Sequence, residues 1–182
     1  MKAPTESPRF IARIAGLFYV LVFVTGVYSL FDRSSVGFAA AMVAGVFYIA
    51  VTVLFYFIFK PVSRAVSLVA AIISLAGIVI GPLSFALKPL AAISPLVFFG
   101  VYCSLIAYLI FRSTFLPRFL SVLMAFAGLG WLTFLSPSFA LSLSPYIFLP
   151  GIIGEGALTL WLVVFGVTEQ RWKEQLAHQR NV

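Results

Sequence analysis

Apolar residues occupy this 182-residue chain in long blocks, separated by short clusters of charge, proline and serine. A helix needs about 20 apolar residues to cross a hydrocarbon core of ~30 Å. Six blocks approach that length: residues 14–31, 36–59, 65–87, 90–111, 119–135 and 145–167. Each is continuously apolar and lacks the two-residue alternation of a barrel strand, so helices are expected throughout. The pattern predicts an all-α membrane protein: one helical bundle over residues 1–182 with six transmembrane helices, and gaps too short for a soluble domain.

Charge sets the orientation. With an even number of spans both termini lie on one side, and that side collects Lys2, Arg9, Arg13, Lys60, Arg64, Arg112, Arg118, Arg171, Lys173 and Arg180. The other side holds only Arg33 and Lys88. Cytoplasmic loops accumulate Lys and Arg, so both termini are expected in the cytoplasm. The first span follows Lys2 and Arg9 as a secretory signal would, but it is too long for an h-region, no A-x-A site follows, and it reads as an uncleaved helix. Pro61 with Arg64 to Ala71 and Pro117 with Arg118 to Ala125 open similar segments, each after Ile-Phe-Lys or Ile-Phe-Arg, and Pro8-Arg9-Phe10 echoes them. Three helical hairpins of common origin are one explanation. The other is that any helix starting at this surface favours early proline and a headgroup arginine.

Composition agrees with a lipid solvent and removes several functions. Hydrophobic residues make up 63% of the chain and charged residues 9%, against about 25% charged in soluble domains. The net charge of +7 is spent on orientation, so it does not argue for nucleic acid as a partner; the expected partners are the bilayer and a small lipophilic ligand. The single cysteine, Cys103, excludes a disulfide framework, and the single histidine, His178, lies in the polar tail. No H-E-x-x-H, phosphate-cradling glycine loop or G-x-S-x-G elbow occurs, so no metal and no cofactor is expected.

Against that background one acid stands inside a span. Glu155 lies about ten residues into the sixth block, where an ionised carboxylate costs several kcal/mol unless it is paired, hydrated or protonated. Pro150-Gly151-Ile-Ile-Gly154-Glu155-Gly156 surrounds it with glycines that admit a neighbouring backbone or a ligand. Its candidate partners are Tyr102, Ser104, Tyr108, Tyr48, Thr52 and Lys88. Lys88 would reach it if the proline-rich stretch from Gly81-Pro82 through Lys88-Pro89 to Ser94-Pro95 dips inward as a broken helix does. Tyr48, Tyr56, Tyr102, Tyr108, Trp131, Tyr146 and Trp161 would line an internal pocket or form interfacial belts, and Trp172 reads as a belt residue. Gly37, Ala41 and Gly45, and Gly77 with Gly81, read as packing ridges, and residues 169–180 as a solvated helix at the membrane surface.

Several motifs taken in order resemble one family: Arg13-Ile-Ala-Gly16, Lys60-Pro61, Phe99-Gly100, Tyr108-Leu-Ile-Phe-Arg112-Ser113, Leu116-Pro117-Arg118, Ala127-Gly-Leu-Gly130, Leu149-Pro150, Ile153-Gly154-Glu155 and Leu160-Trp161-Leu162. It is a large group of bacterial integral membrane proteins known only as a domain of unknown function. The resemblance implies a polytopic helical protein of the bacterial cytoplasmic membrane and carries no activity. It places the family's acid at Glu155. Where relatives carry Phe-Gly-x-His, this chain reads Phe99-Gly100-Val101-Tyr102, and Asp32 to Ser35 is a shortened first outer loop. Three functions follow as expectations. One is a site that binds or transforms a small lipophilic molecule, as a cyclase or isomerase does, with Glu155 as the catalytic acid and Tyr102, Tyr108, Tyr48, Trp131, Trp161 and Lys88 as ligand contacts. The second is a small proton-coupled transporter, and the third a non-catalytic partner subunit.

Overall fold

The computed structural model describes residues 7–32, 34–86 and 94–180. Eight α-helices occupy them: α1 Pro8–Phe31, α2 Ser35–Phe59, α3 Arg64–Ala86, α4 Pro95–Arg112, α5 Arg118–Leu132, α6 Pro137–Ser142, α7 Leu149–Val164 and α8 Glu169–Arg180. Six of them, with short 3-10 turns extending α5 and α7, are long and apolar enough to cross a membrane. The six-span expectation is met, and the protein is a multi-pass, all-helical membrane protein.

Local chemistry sets the helix ends. Pro8 and Pro95 stand in the first turn of α1 and α4, where a missing N–H leaves no bond unmade. Ser34 and Ser94 cap α2 and α4 by accepting from the Val36 and Leu96 amides. The first span starts six residues earlier than position 14, because Pro8 begins the helix while the hydropathy count waits for Arg9 and Arg13 to pass. The serine-rich segment after α5, at the end away from the termini, also folds more than expected, into α6 and a 3-10 turn at Tyr146–Phe148.

The spanning helices pack in chain order, α1 on α2, α2 on α3, α3 on α4, α4 on α5 and α5 on α7, and the ring closes where α7 also packs on α1. Close backbone approach explains that last contact. A Cβ at Gly16 of α1 would fall 2.8 Å from the Val163 backbone nitrogen of α7. On the other side of α7, Gly154 meets the Leu123 carbonyl and Ala127 of α5 in the same manner. The small-residue ridges divide: Gly77 packs on Phe98 and Gly45 touches Ile78, whereas Gly81 has open space where a Cβ would stand.

At the end of the bundle that bears both termini, the chain leaves α7 through Gly166, whose φ of 67° suits glycine alone among common residues. It then enters α8, which lies against the bundle. Trp172, expected in the headgroup belt, is tied down instead: its indole N–H donates to the Ile58 carbonyl at the end of α2, at 2.8 Å. Gln175 bonds the Arg112 carbonyl and the Thr114 amide, so α8 also clamps the turn between α4 and α5.

Candidate functional site

Four of the six spanning helices carry a polar residue to the same depth. Tyr19 is twelfth of the 22 residues in Pro8–Ser29, Tyr48 fourteenth of 25 in Ser35–Phe59, Tyr102 eighth of 18 in Pro95–Arg112, and Glu155 tenth of 19 in Tyr146–Val164. Each is near the midpoint of its span, and all four side chains are buried. Residues that sequence spacing scatters over 136 positions therefore form one layer halfway through the bundle.

Glu155 is the hub. Its Oε2 accepts from the Tyr19 hydroxyl of α1, and its Oε1 accepts from the Trp131 indole N–H of α5 at 2.5 Å. Those are the two helices that flank α7 in the ring, so a single carboxyl group ties three helices together. The Tyr19 hydroxyl is also 3.4 Å from that of Tyr48, and the Cys103 thiol of α4 faces the same carboxyl. Aromatic rings enclose the layer: Tyr48 meets Tyr19, Phe99 and Tyr102 edge to face at centroid distances of 5.6, 5.0 and 6.1 Å. Among the described residues no acid–base ion pair occurs, and the donors that reach the carboxyl oxygens are neutral.

The indole is seated as tightly as the carboxyl. A Cβ at Gly151 would clash with Cζ2 and Cε2 of Trp131, so only glycine at 151 allows the indole to lie across α7 and reach Glu155 one turn later. Trp131 in turn packs on Phe134 and Phe148, a cluster covering the outer side of the layer. Beyond it lies a small apolar cavity of about 140 Å³ lined by Gly130, Thr133, Leu143, Tyr146, Ile147 and Pro150.

One member of the layer is unpaired. The Tyr102 hydroxyl is buried, with Tyr102 only 1% exposed, and makes no well-formed hydrogen bond among the described residues. Beside it, the Thr52 hydroxyl donates to the Tyr48 carbonyl at 2.8 Å and pairs with the Ser74 hydroxyl at 2.7 Å, which leaves it only acceptor capacity toward Tyr102. Buried hydroxyls are nearly always bonded, so an orphan of this kind calls for a ligand or a water.

The expected site residues separate accordingly. Tyr48, Tyr102 and Trp131 come together with Glu155. Tyr108 is 48% exposed on the outer surface of the ring, and Trp161 stacks on Phe165 at 4.5 Å near the termini-bearing end; neither joins the layer. A period of 3.6 residues explains the Tyr108 case, because six positions past Tyr102 point to another side of α4. Ser104 bonds its own helix at the Gly100 carbonyl and Thr52 bonds Ser74, so neither is the partner of Glu155. Lys88 lies outside the described residues with the rest of 87–93; of the stretch expected to break inward, Gly81-Pro82 stays within α3, which runs on to Ala86, and Ser94-Pro95 opens α4. Sequence reasoning missed Tyr19 and Cys103. Their signal was depth alone: each stands midway along its span, as Glu155 does.

No curated protein and no solved structure matches the chain. Residues 86–166, which hold Tyr102, Trp131 and Glu155 but not Tyr19, match the family model described as Domain of unknown function (DUF4386), as the resemblance of the motifs implied.

Proposed function

We propose that this protein binds a small lipophilic molecule with a polar group in the midplane layer, where Glu155 and Tyr102 supply the polar contacts and Tyr48 and Trp131 the aromatic walls. The observation that carries this reading is the unpartnered Tyr102 hydroxyl in a layer whose other polar groups are bonded. The apolar cavity beside Trp131 supports entry from the end opposite the termini, with the indole moving off Glu155 as the molecule arrives. Binding is the part of the expectation that the geometry supports; ring-closing chemistry and proton-coupled transport are not needed to account for it. The excess of basic residues at the termini-bearing end supports a cytoplasmic position for that end in a bacterial cytoplasmic membrane.

A second reading has its own observation. Both carboxyl oxygens are occupied by donors from α1 and α5, which suits a buried polar tie that holds the ring shut and binds nothing. The test compares small molecules extracted from purified wild type, Glu155→Gln and Tyr102→Phe by mass spectrometry, alongside thermal unfolding. Binding predicts a molecule enriched in the wild type, absent from Glu155→Gln and reduced in Tyr102→Phe, with Tyr102→Phe unfolding at an unchanged temperature. A structural tie predicts no enriched molecule and a lowered unfolding temperature for Glu155→Gln.

A further inference from the structure

A second polar site lies at the other level of the bundle. Where α1 begins, α7 ends and the α4–α5 turn crosses α8, a cavity of about 560 Å³ opens at the termini-bearing end. That volume lies within the range of small-molecule sites. Two arginines line it, and each is fixed by a single backbone contact: Arg9 Nε donates to the Phe165 carbonyl at 3.1 Å, and Arg171 Nη1 donates to the Thr114 carbonyl at 3.3 Å. A guanidinium has five N–H donors, so both keep most of theirs for a ligand while their stems are held in place.

The opposite wall is apolar. Trp161, Phe165 and Pro117 line the same cavity, and Phe165, one residue past the end of α7, is 53% exposed. Positive charge next to an apolar wall, at the level where the helices leave the membrane, is the complement of an amphiphile with an anionic head. Planar guanidinium groups match phosphate oxygens in pairs of bonds. Glu169, the one acid in the lining, stands in the first turn of α8, where it complements the helix N-terminus. It keeps the cavity from being a site for highly charged anions.

We infer that this cavity binds the phosphodiester headgroup of a membrane phospholipid, with Arg9 and Arg171 on the phosphate and the first methylenes of the acyl chains along Trp161 and Phe165. The site is separate from the Glu155 layer and does not depend on the function proposed for that layer.

Native mass spectrometry of the full chain in detergent, titrated with a phosphatidylethanolamine, a phosphatidylglycerol and inorganic phosphate, tests it. One lipid adduct is expected to survive activation in the wild type and to weaken about tenfold or more in Arg9→Gln/Arg171→Gln, since each lost charge-assisted bond is worth roughly a factor of ten. Arg9→Lys/Arg171→Lys keeps the charge but not the paired geometry and is expected to fall between the two. Trp161→Leu weakens lipid binding without touching either arginine, which separates loss of the site from misfolding of the double variant. Equal lipid retention in the wild type and the double glutamine variant overturns the inference. Displacement of the lipid by equimolar inorganic phosphate also overturns it, because the site would then take phosphate without the acyl anchor.

Discussion

Helix α1 carries the same chemical pair twice, nine residues apart. At mid-membrane the Tyr19 hydroxyl donates to Glu155; at the end of the helix the Tyr28 hydroxyl donates to Asp32 at 3.0 Å. The surroundings differ in every respect that matters. Tyr19 is fully buried and its acceptor comes from the last spanning helix, so the bond is long-range and water cannot replace it. Tyr28 is 48% exposed, its partner is one helical turn away, and Asp32 also accepts from the Ser34 amide at 2.8 Å. One tyrosine–carboxylate bond closes a ring of helices, and the other finishes a helix end. Geometry of the pair is nearly irrelevant to that division; solvent access and sequence separation decide it.

The comparison breaks most readily at the hub. Glu155→Ala leaves the Tyr19 hydroxyl and Trp131 indole buried without acceptors, and at the worth of interhelical bonds in membranes the two should lower unfolding stability by roughly 1–3 kcal/mol. Unfolding in mixed micelles measures it, and a loss below about 0.5 kcal/mol would remove the carboxyl from its role as a tie. Gly151→Ala should come next, at about 1–2 kcal/mol for forcing the indole off its seat. Its signature is that a further Trp131→Phe exchange then adds little, which a double-mutant cycle reads directly. Tyr19→Phe removes a single bond of the hub and should cost about 0.6 kcal/mol, the mean for such bonds in membranes. Tyr28→Phe should leave the unfolding curve unchanged, and any loss equal to that of Tyr19→Phe would erase the distinction between the two pairs.

The smallest effect is one of pH. Bonds from Ser34, through its side chain and its amide, and then from Tyr28 hold the Asp32 carboxyl below the ordinary carboxylate range. A depressed value means that the folded state binds its proton less readily than the unfolded one. The contribution is therefore complete above about pH 4 and is lost as acid titrates the folded carboxyl. The stability difference between wild type and Asp32→Asn should therefore stay constant from neutral pH down to about pH 4 and shrink only in that acid window, where the wild type loses its advantage.

The parts of this protein that were legible in its sequence are those that lipid enforces one residue at a time. Each span must be apolar over its whole length, so hydropathy alone located six of them, and Glu155 was conspicuous because a carboxyl in that solvent is costly. Partner choice is different. Any of several tyrosines had suitable chemistry, and Tyr19 was distinguishable from Tyr108 only once α7 was known to pack on α1 and Tyr108 to face outward. The end segments were underread for a related reason: Pro8 and Pro137 open helices by fixing backbone angles, a signal that hydropathy does not register. The bond of Trp172 was not legible because an indole suits a headgroup belt and a carbonyl at a helix end equally well.

Closure of the ring by α7 against α1 has a consequence for biogenesis. As the chain emerges, each new span can dock on its predecessor at once, and the Tyr19 hydroxyl of the first span can meet that of Tyr48 in the second, but its carboxyl acceptor lies 136 residues downstream. A nascent chain halted before α7 holds that hydroxyl without a carboxylate to receive it. Arrival of α7 in the ring is then marked chemically inside the membrane, by the moment Tyr19 finds Glu155.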